Sequence, residues 1–172
     1  MTDFTLRSAV YDNLSWVHDN IYIKETIQKL DIKTGEEFIL NIGPGTAPVT
    51  KKLLEQYPNL NVIMVEPSSG MVEKIADFVT ENSEKNYCIT IYNNFDFLKY
   101  QPFGSVPYIF DRVLIRNVFH HFDSEQHIID TLKLICEFTK KTGKIVIGDG
   151  CPPFIMSEFD GCAIDIKMID DD

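Results

Sequence analysis

The chain has 172 residues, 44% hydrophobic and 24% charged, the composition of a globular protein long enough to bury a core. Its formal net charge of −10 repels phosphate backbones and no basic run offsets it, so nucleic acid is not an expected partner. No apolar run reaches the roughly 18 residues of a membrane span, and residues 1–10, with Asp3 and Arg7, lack the apolar stretch of a secretory signal, so a cytoplasmic location without a membrane partner is expected.

The pattern alternates helix and strand, without internal repeats. Asn20 to Leu30 reads as a helix whose apolar face includes Ile21, Ile23, Ile27 and Leu30. Glu37 to Ile42 reads as a short buried strand, broken at Gly43-Pro44-Gly45. A helix follows over Thr46 to Tyr57, with Thr46 or Ala47 near its cap and Pro48 in the first turn, where a missing N–H costs nothing. Val62 to Val65 is a second strand closed by Glu66-Pro67. Ser68 or Ser69 then starts a helix running to about Asn82. Cys88 to Tyr92 and Tyr108 to Ile115 are the third and fourth strands. Ser124 to Thr139 is a long amphipathic helix, and Lys144 to Ile147, preceded by Gly143, is the fifth strand. Continuously apolar strands alternating with helices imply a parallel sheet covered on both faces. Residues 164–169 alternate in polarity and suit one edge strand.

The four cysteines, at 88, 136, 151 and 162, form neither a CxxC pair nor a Cys/His cluster. Free thiols and no metal site are expected.

Ligands of open α/β sheets bind beyond the carboxyl ends of the strands, where the strand order reverses. Four strand ends carry suitable groups. Gly43-Pro44-Gly45 lets the backbone turn tightly and approach a ligand, although a plain strand-to-helix turn has the same signature. Glu66, 21 residues beyond Gly45, places a carboxylate where it can accept two ribose hydroxyls, or simply be solvated. Asn93-Asn94-Phe95-Asp96 offers amide and carboxylate groups to an adenine edge, or ordinary turn formers. Arg116-Asn117-Val118-Phe119-His120-His121-Phe122 turns polar groups toward the same crevice. Adjacent side chains diverge, so the two histidines do not read as a metal pair; one of them suits a substrate contact or a proton acceptor.

In order and spacing these segments resemble the class I S-adenosylmethionine-dependent methyltransferases. The likeness runs through Ile39 to Ala47 (ILNIGPGTA), Val65 to Glu73 (VEPSSGMVE), Asn94 to Leu98, Phe110 to Phe122 (FDRVLIRNVFHHF) and Thr142 to Asp149 (TGKIVIGD), spanning residues 35–150. It implies a three-layer Rossmann-like α/β fold, a mostly parallel sheet of order 3-2-1-4-5 whose C-terminal strands are truncated. Residues 1–172 would form one domain: a helical cap to residue 34, a cofactor-binding core over 35–150, and an edge and tail over 151–172. The implied cofactor is S-adenosylmethionine. Asn41, Gly43 and Gly45 would lie along its methionine part, Glu66 on the ribose, Met71 on adenine, Asn94 and Phe95 at the adenine edge, and Arg116 and Asn117 at the methionine end. His120 and His121 would face the acceptor and supply a catalytic base. Tyr11 and Trp16, ahead of the first strand, would form a lid or simply pack.

Three residues depart from the family pattern. Asn41 replaces an acid, Ala47 a glycine and Asn94 an aspartate; each amide can still accept a hydrogen bond. The family's sheet also goes on to a sixth and a seventh strand, whereas 22 residues follow Gly150 here. Residues 151–169, a homodimer or a partner subunit are therefore expected to cover the fifth strand. The expected reaction is methyl transfer to a small-molecule or side-chain acceptor. The alternative is a catalytically inactive binding or regulatory subunit. A nicotinamide-dependent oxidoreductase is disfavoured, because Pro48 stands where the dinucleotide fingerprint needs its third glycine.

Overall fold

A computed structural model describes residues 4–15, 17–85, 88–92, 109–149 and 155–160. In chain order the elements are α1 (Phe4–Tyr11), α2 (Asn20–Leu30), β1 (Phe38–Ile42), α3 (Pro48–Gln56), β2 (Asn61–Val65), α4 (Ser69–Glu81), β3 (Cys88–Tyr92), β4 (Phe110–Arg116), α5 (Glu125–Phe138), β5 (Thr139–Asp149) and β6 (Ile155–Asp160). The strands form one sheet of order β3-β2-β1-β4-β5-β6. The first five are parallel and β6 is antiparallel to β5. The order matches the expected 3-2-1-4-5, and β6 covers the free edge of β5. It does so with residues 155–160; the alternating stretch 164–169 lies outside the described residues.

Alternation along the strands divides the core. Ile39, Val62, Met64, Leu114 and Val146 join residues of α2, α3 and α4 in one cluster, while Leu40, Ile42, Val65, Val113, Ile115 and Ile145 join α5 in a second. Burial on both faces explains why the strands read as unbroken apolar runs. The helix caps follow local chemistry. Asp19 accepts the N–H groups of Ile21 and Tyr22 at the start of α2, and Ser124 accepts that of His127 at the start of α5. Ser68 occupies the N-cap position of α4 without making a side-chain cap bond.

β5 begins directly after α5, five residues earlier than the sequence pattern indicates. Its pairing with β4 jumps from Phe110↔Thr139 to Arg112↔Lys144. Gly143 permits this: a Cβ there would lie 2.8 Å from both the Lys140 carbonyl and Thr139 Cγ2.

Two polar devices set the lower end of the sheet. The buried Glu37 side chain accepts the N–H groups of Lys33, Thr34 and Gly35 and the Thr34 hydroxyl, fixing the turn that delivers β1. Burial works to raise its pKa, but the backbone donors outweigh it and hold the carboxyl down at about 2. Arg112 of β4, also buried, donates to the Leu30 carbonyl at 2.5 Å, the Asp31 carbonyl at 2.7 Å and the Asp111 carbonyl at 2.7 Å. Two of these are the orphan carbonyls at the end of α2, where Asp31 turns left-handed (φ 52°).

Arg112→Met leaves those carbonyls buried without donors. It is expected to lower the stability measured by urea unfolding by about 2–3 kcal/mol, with an unchanged m-value. Because the folded pKa of Glu37 is depressed, its contribution is complete above its ordinary 4.5 and fades as pH falls toward about 2. Unfolding free energies measured across that window should fall by on the order of 3 kcal/mol in the wild type. In Glu37→Gln the decline should be smaller by that amount, leaving what Asp12 and Asp31, whose carboxyls are also held down by their partners, contribute.

Candidate functional site

The strand order reverses between β1 and β4, so the chain leaving β1 and the chain leaving β4 diverge and open a crevice at their carboxyl ends. The turn after β1 is made of left-handed residues: Gly43 at φ 61°, Gly45 at φ 60° and Ala47 at φ 59°. Gly43 N–H still donates to the Val65 carbonyl at 2.9 Å, carrying the β1–β2 ladder one residue past the strand. Ala47 is the N-cap of α3 and Pro48 its first residue. A left-handed alanine is strained, and it stands where the family pattern has glycine.

Glu66, at the end of β2, is 6% exposed. Its Oε2 accepts the Gly45 N–H at 2.9 Å and its Oε1 accepts the Ser68 N–H at 2.9 Å. One carboxylate thus binds the turn after β1 to the turn after β2. Burial raises the Glu66 pKa, opposed by the two backbone donors. Ser68 Oγ is buried with no hydrogen-bond partner among the described residues.

On the other side of the crevice, Arg116 ends β4 and Asn117 follows it with φ 56°. Burial lowers the Arg116 pKa, with Tyr11 and Asp19 acting the other way; the guanidinium remains a cation. The buried Oδ1 of Asn117 accepts no hydrogen bond from a described residue. The Asn41 amide donates to Thr50 Oγ1 at 2.8 Å, so the residue that replaces the family's acid is braced by α3. Tyr11, Val17, Asn41, Gly43, Arg116 and Asn117 are among the walls of a small cleft.

The structure therefore brings together Asn41, Gly43, Arg116 and Asn117 around one cleft, and joins Gly45, in the same turn as Gly43, to Glu66. Met71, in the first turn of α4, is fully buried. Asn94 and Phe95 lie outside the described residues, as does Trp16. His120 and His121 are exposed on a short 3-10 turn after Asn117, their ring centroids 3.9 Å apart. Behind them Phe122 stacks on His127 at 4.4 Å and meets Phe119 edge-on at 5.4 Å. Among the described residues, no group of three His, Cys, Asp or Glu side chains is arranged to hold a metal ion.

For Tyr11 the sequence leaves a lid and simple packing both open. Its ring reaches Gly45, and burial, with Glu66 adding, pushes its hydroxyl up to about 12, so it stays protonated. Asp12 and Thr46, which hydrogen-bond beside it, went unread, because a 34-residue separation leaves no local pattern.

The strand ends thus carry a carboxylate at Glu66, a guanidinium at Arg116 and a buried amide oxygen at Asn117, groups able to accept hydroxyls, to pair with a carboxylate and to accept from an ammonium.

A family model described as a methyltransferase domain matches residues 40–145. A protein of Anoxybacillus flavithermus described as an uncharacterized methyltransferase is 31% identical over 144 residues, 81% of this chain and 61% of that one. Malonyl-[acyl-carrier protein] O-methyltransferase 2 of Ilyobacter polytropus is 28% identical over 130 residues, 71% of this chain and 47% of that one. The chain thus spans less than two thirds of either relative. The crystal structure of geranyl diphosphate C-methyltransferase from Streptomyces coelicolor A3(2), in complex with Mg2+, geranyl diphosphate and S-adenosyl-L-homocysteine, superposes with a TM-score of 0.64 at 11% identity, over 77% of this chain and 46% of that one.

Gly45→Ala should test the turn. A side chain at φ 60° is strained by about 1–2 kcal/mol, and its Cβ would sit 3.2 Å from the Tyr11 ring. The melting temperature should fall accordingly, and fall by less when Tyr11→Ala removes the contact.

Proposed function

This chain belongs to the methyltransferase-domain family, and from that premise we propose that it transfers a methyl group from S-adenosylmethionine to a small-molecule or side-chain acceptor. The observation that carries this reading is the Glu66 carboxylate, held by the Gly45 and Ser68 N–H groups at the junction of β1 and β2. S-adenosylmethionine is the cofactor. It has the ends the cleft calls for, a ribose diol and an amino-acid zwitterion, and it supplies a methyl group already activated on a positively charged sulfur.

The protein's own contribution is placement. Glu66, fixed by two backbone donors, accepts the ribose hydroxyls without reorganising. The left-handed turn at Gly43 and Gly45 brings the backbone close beneath the methionine part. Arg116 holds the carboxylate and Asn117 Oδ1 the ammonium. Asn41, neutral and braced by Thr50, lines the methionine side without adding a negative charge. Leu114 and Val49 give the cleft apolar wall and keep water from the reacting centre. Where the acceptor is a hydroxyl it loses a proton on attack, and His120 or His121, on the turn that follows Asn117, takes it. The exposed histidines and the neighbouring Phe119 and Phe122 form the acceptor side. A small acceptor with an aromatic or apolar body fits that wall.

Calorimetric titration of the wild type and of Glu66→Ala with S-adenosylmethionine and S-adenosylhomocysteine tests the reading. One-site binding is expected, weakened about 100-fold or more by Glu66→Ala through loss of two charge-assisted bonds. The wild-type affinity should also fall on acidification, starting above the ordinary glutamate value of 4.5, because burial raises the Glu66 pKa and the diol needs the ionised form. Saturable binding that survives Glu66→Ala would move the site elsewhere. No binding by folded wild type at millimolar ligand would overturn the reading.

A further inference from the structure

The first helix ends at the cleft. α1 packs against α4, and its last residue, Tyr11, covers the glycine turn. A Cβ on Gly45 would lie 3.2 Å from Tyr11 Cε1 and 3.3 Å from the Tyr11 hydroxyl. Tyr11 shares the cleft wall with Asn41, Gly43, Arg116 and Asn117. A ligand spanning from Glu66 to Arg116 must therefore pass under that ring or displace it.

The next residue joins the surrounding elements. Asp12 Oδ1 accepts the Thr46 hydroxyl at 2.5 Å and lies 3.1 Å from His18 Nε2; Asp12 Oδ2 accepts Lys74 Nζ at 3.0 Å. Thr46 belongs to the turn between β1 and α3, Lys74 to α4, and His18 to the connection into α2. One carboxylate thus ties α1 to three places around the cleft. Its side chain is 34% exposed and that of Lys74 31%, so water reaches the knot. Charged hydrogen bonds at such exposure are individually weak, and a fastening made of them opens without disturbing the sheet. Val10 and Leu14, on either side of it, are exposed apolar residues rather than core anchors.

We propose that Asp12 is a positioning residue that latches α1 and Tyr11 across the cofactor cleft, so that cofactor enters and leaves when this latch opens. The proposal rests on the cofactor reading of the cleft. It assigns Asp12 no contact with the ligand. It predicts an effect on exchange rates, which a merely structural cap would leave alone.

The test compares wild type, Asp12→Asn and Lys74→Met. S-adenosylhomocysteine is displaced by excess S-adenosylmethionine in stopped flow and followed by the fluorescence of Trp16, the only tryptophan of the chain. Release is expected to quicken about tenfold in both variants and association to quicken with it, leaving the dissociation constant within about threefold of wild type. Hydrogen exchange of the ligand-free protein should show faster exchange over residues 4–15 in both variants, with β1, β2 and β4 unchanged. The two variants change opposite partners of one ion pair on different elements, so a folding defect in one leaves the other to decide. Unchanged release rates in a folded variant overturn the latch, as does unchanged exchange over residues 4–15. If wild type binds neither cofactor form, the gating role falls with the cleft reading, and the exchange measurement alone then judges the fastening of α1.

Discussion

A buried carboxylate that accepts one backbone N–H on each oxygen holds the upper end of this fold together. Glu66 reaches from β2 to the turn after β1, and its second oxygen gathers in the start of α4. Without it, Gly45 and Ser68 would present buried donors to nothing, and the left-handed turn would keep only the Gly43 bond to Val65 and the Ala47 bond to Pro44. The tension in this arrangement is electrostatic. Desolvation favours the neutral acid, whereas the two donors favour the anion. A group balanced in that way binds hydroxyls well because much of the cost of ordering it is met by the fold rather than by the ligand.

Much of the architecture was legible in the residues. Apolar runs such as Phe38–Ile42 and Asn61–Val65 are buried on both faces, so their lack of alternation identified parallel strands. Asp19 and Ser124 marked helix starts by their own side-chain chemistry. What stayed hidden depended on distance. Nothing local to Arg112 reveals that its guanidinium closes a helix some eighty positions earlier. Nor does the apolar stretch Lys144 to Ile147 reveal that pairing resumes upstream at Thr139, because the jump depends on the close approach that Gly143 allows. Ser68 had the right identity for a cap, but its N–H is taken by Glu66 and its hydroxyl makes no cap bond.

The site was legible in part for the same reason. Gly43, Gly45, Glu66, Arg116 and Asn117 stand at strand ends, and topology alone brings strand ends together. The replacement of an acid by Asn41 read as an amide still able to accept a hydrogen bond. The structure adds that its amide is committed to Thr50, which fixes the side chain's direction. The fastening of the first helix was invisible, since Asp12 meets Thr46 and Lys74 across 34 and 62 residues.

The bonds from Arg112 to the end of α2 also bear on how the chain is made. The donor lies 82 residues downstream of Leu30. At a synthesis rate of roughly 5–20 residues per second, α2 emerges about 4–16 s before the group that completes it. Over that interval its terminal carbonyls are satisfied only by water. The helix therefore cannot dock finally until β4 has been translated, and the newborn N-terminal third must remain unaggregated while it waits.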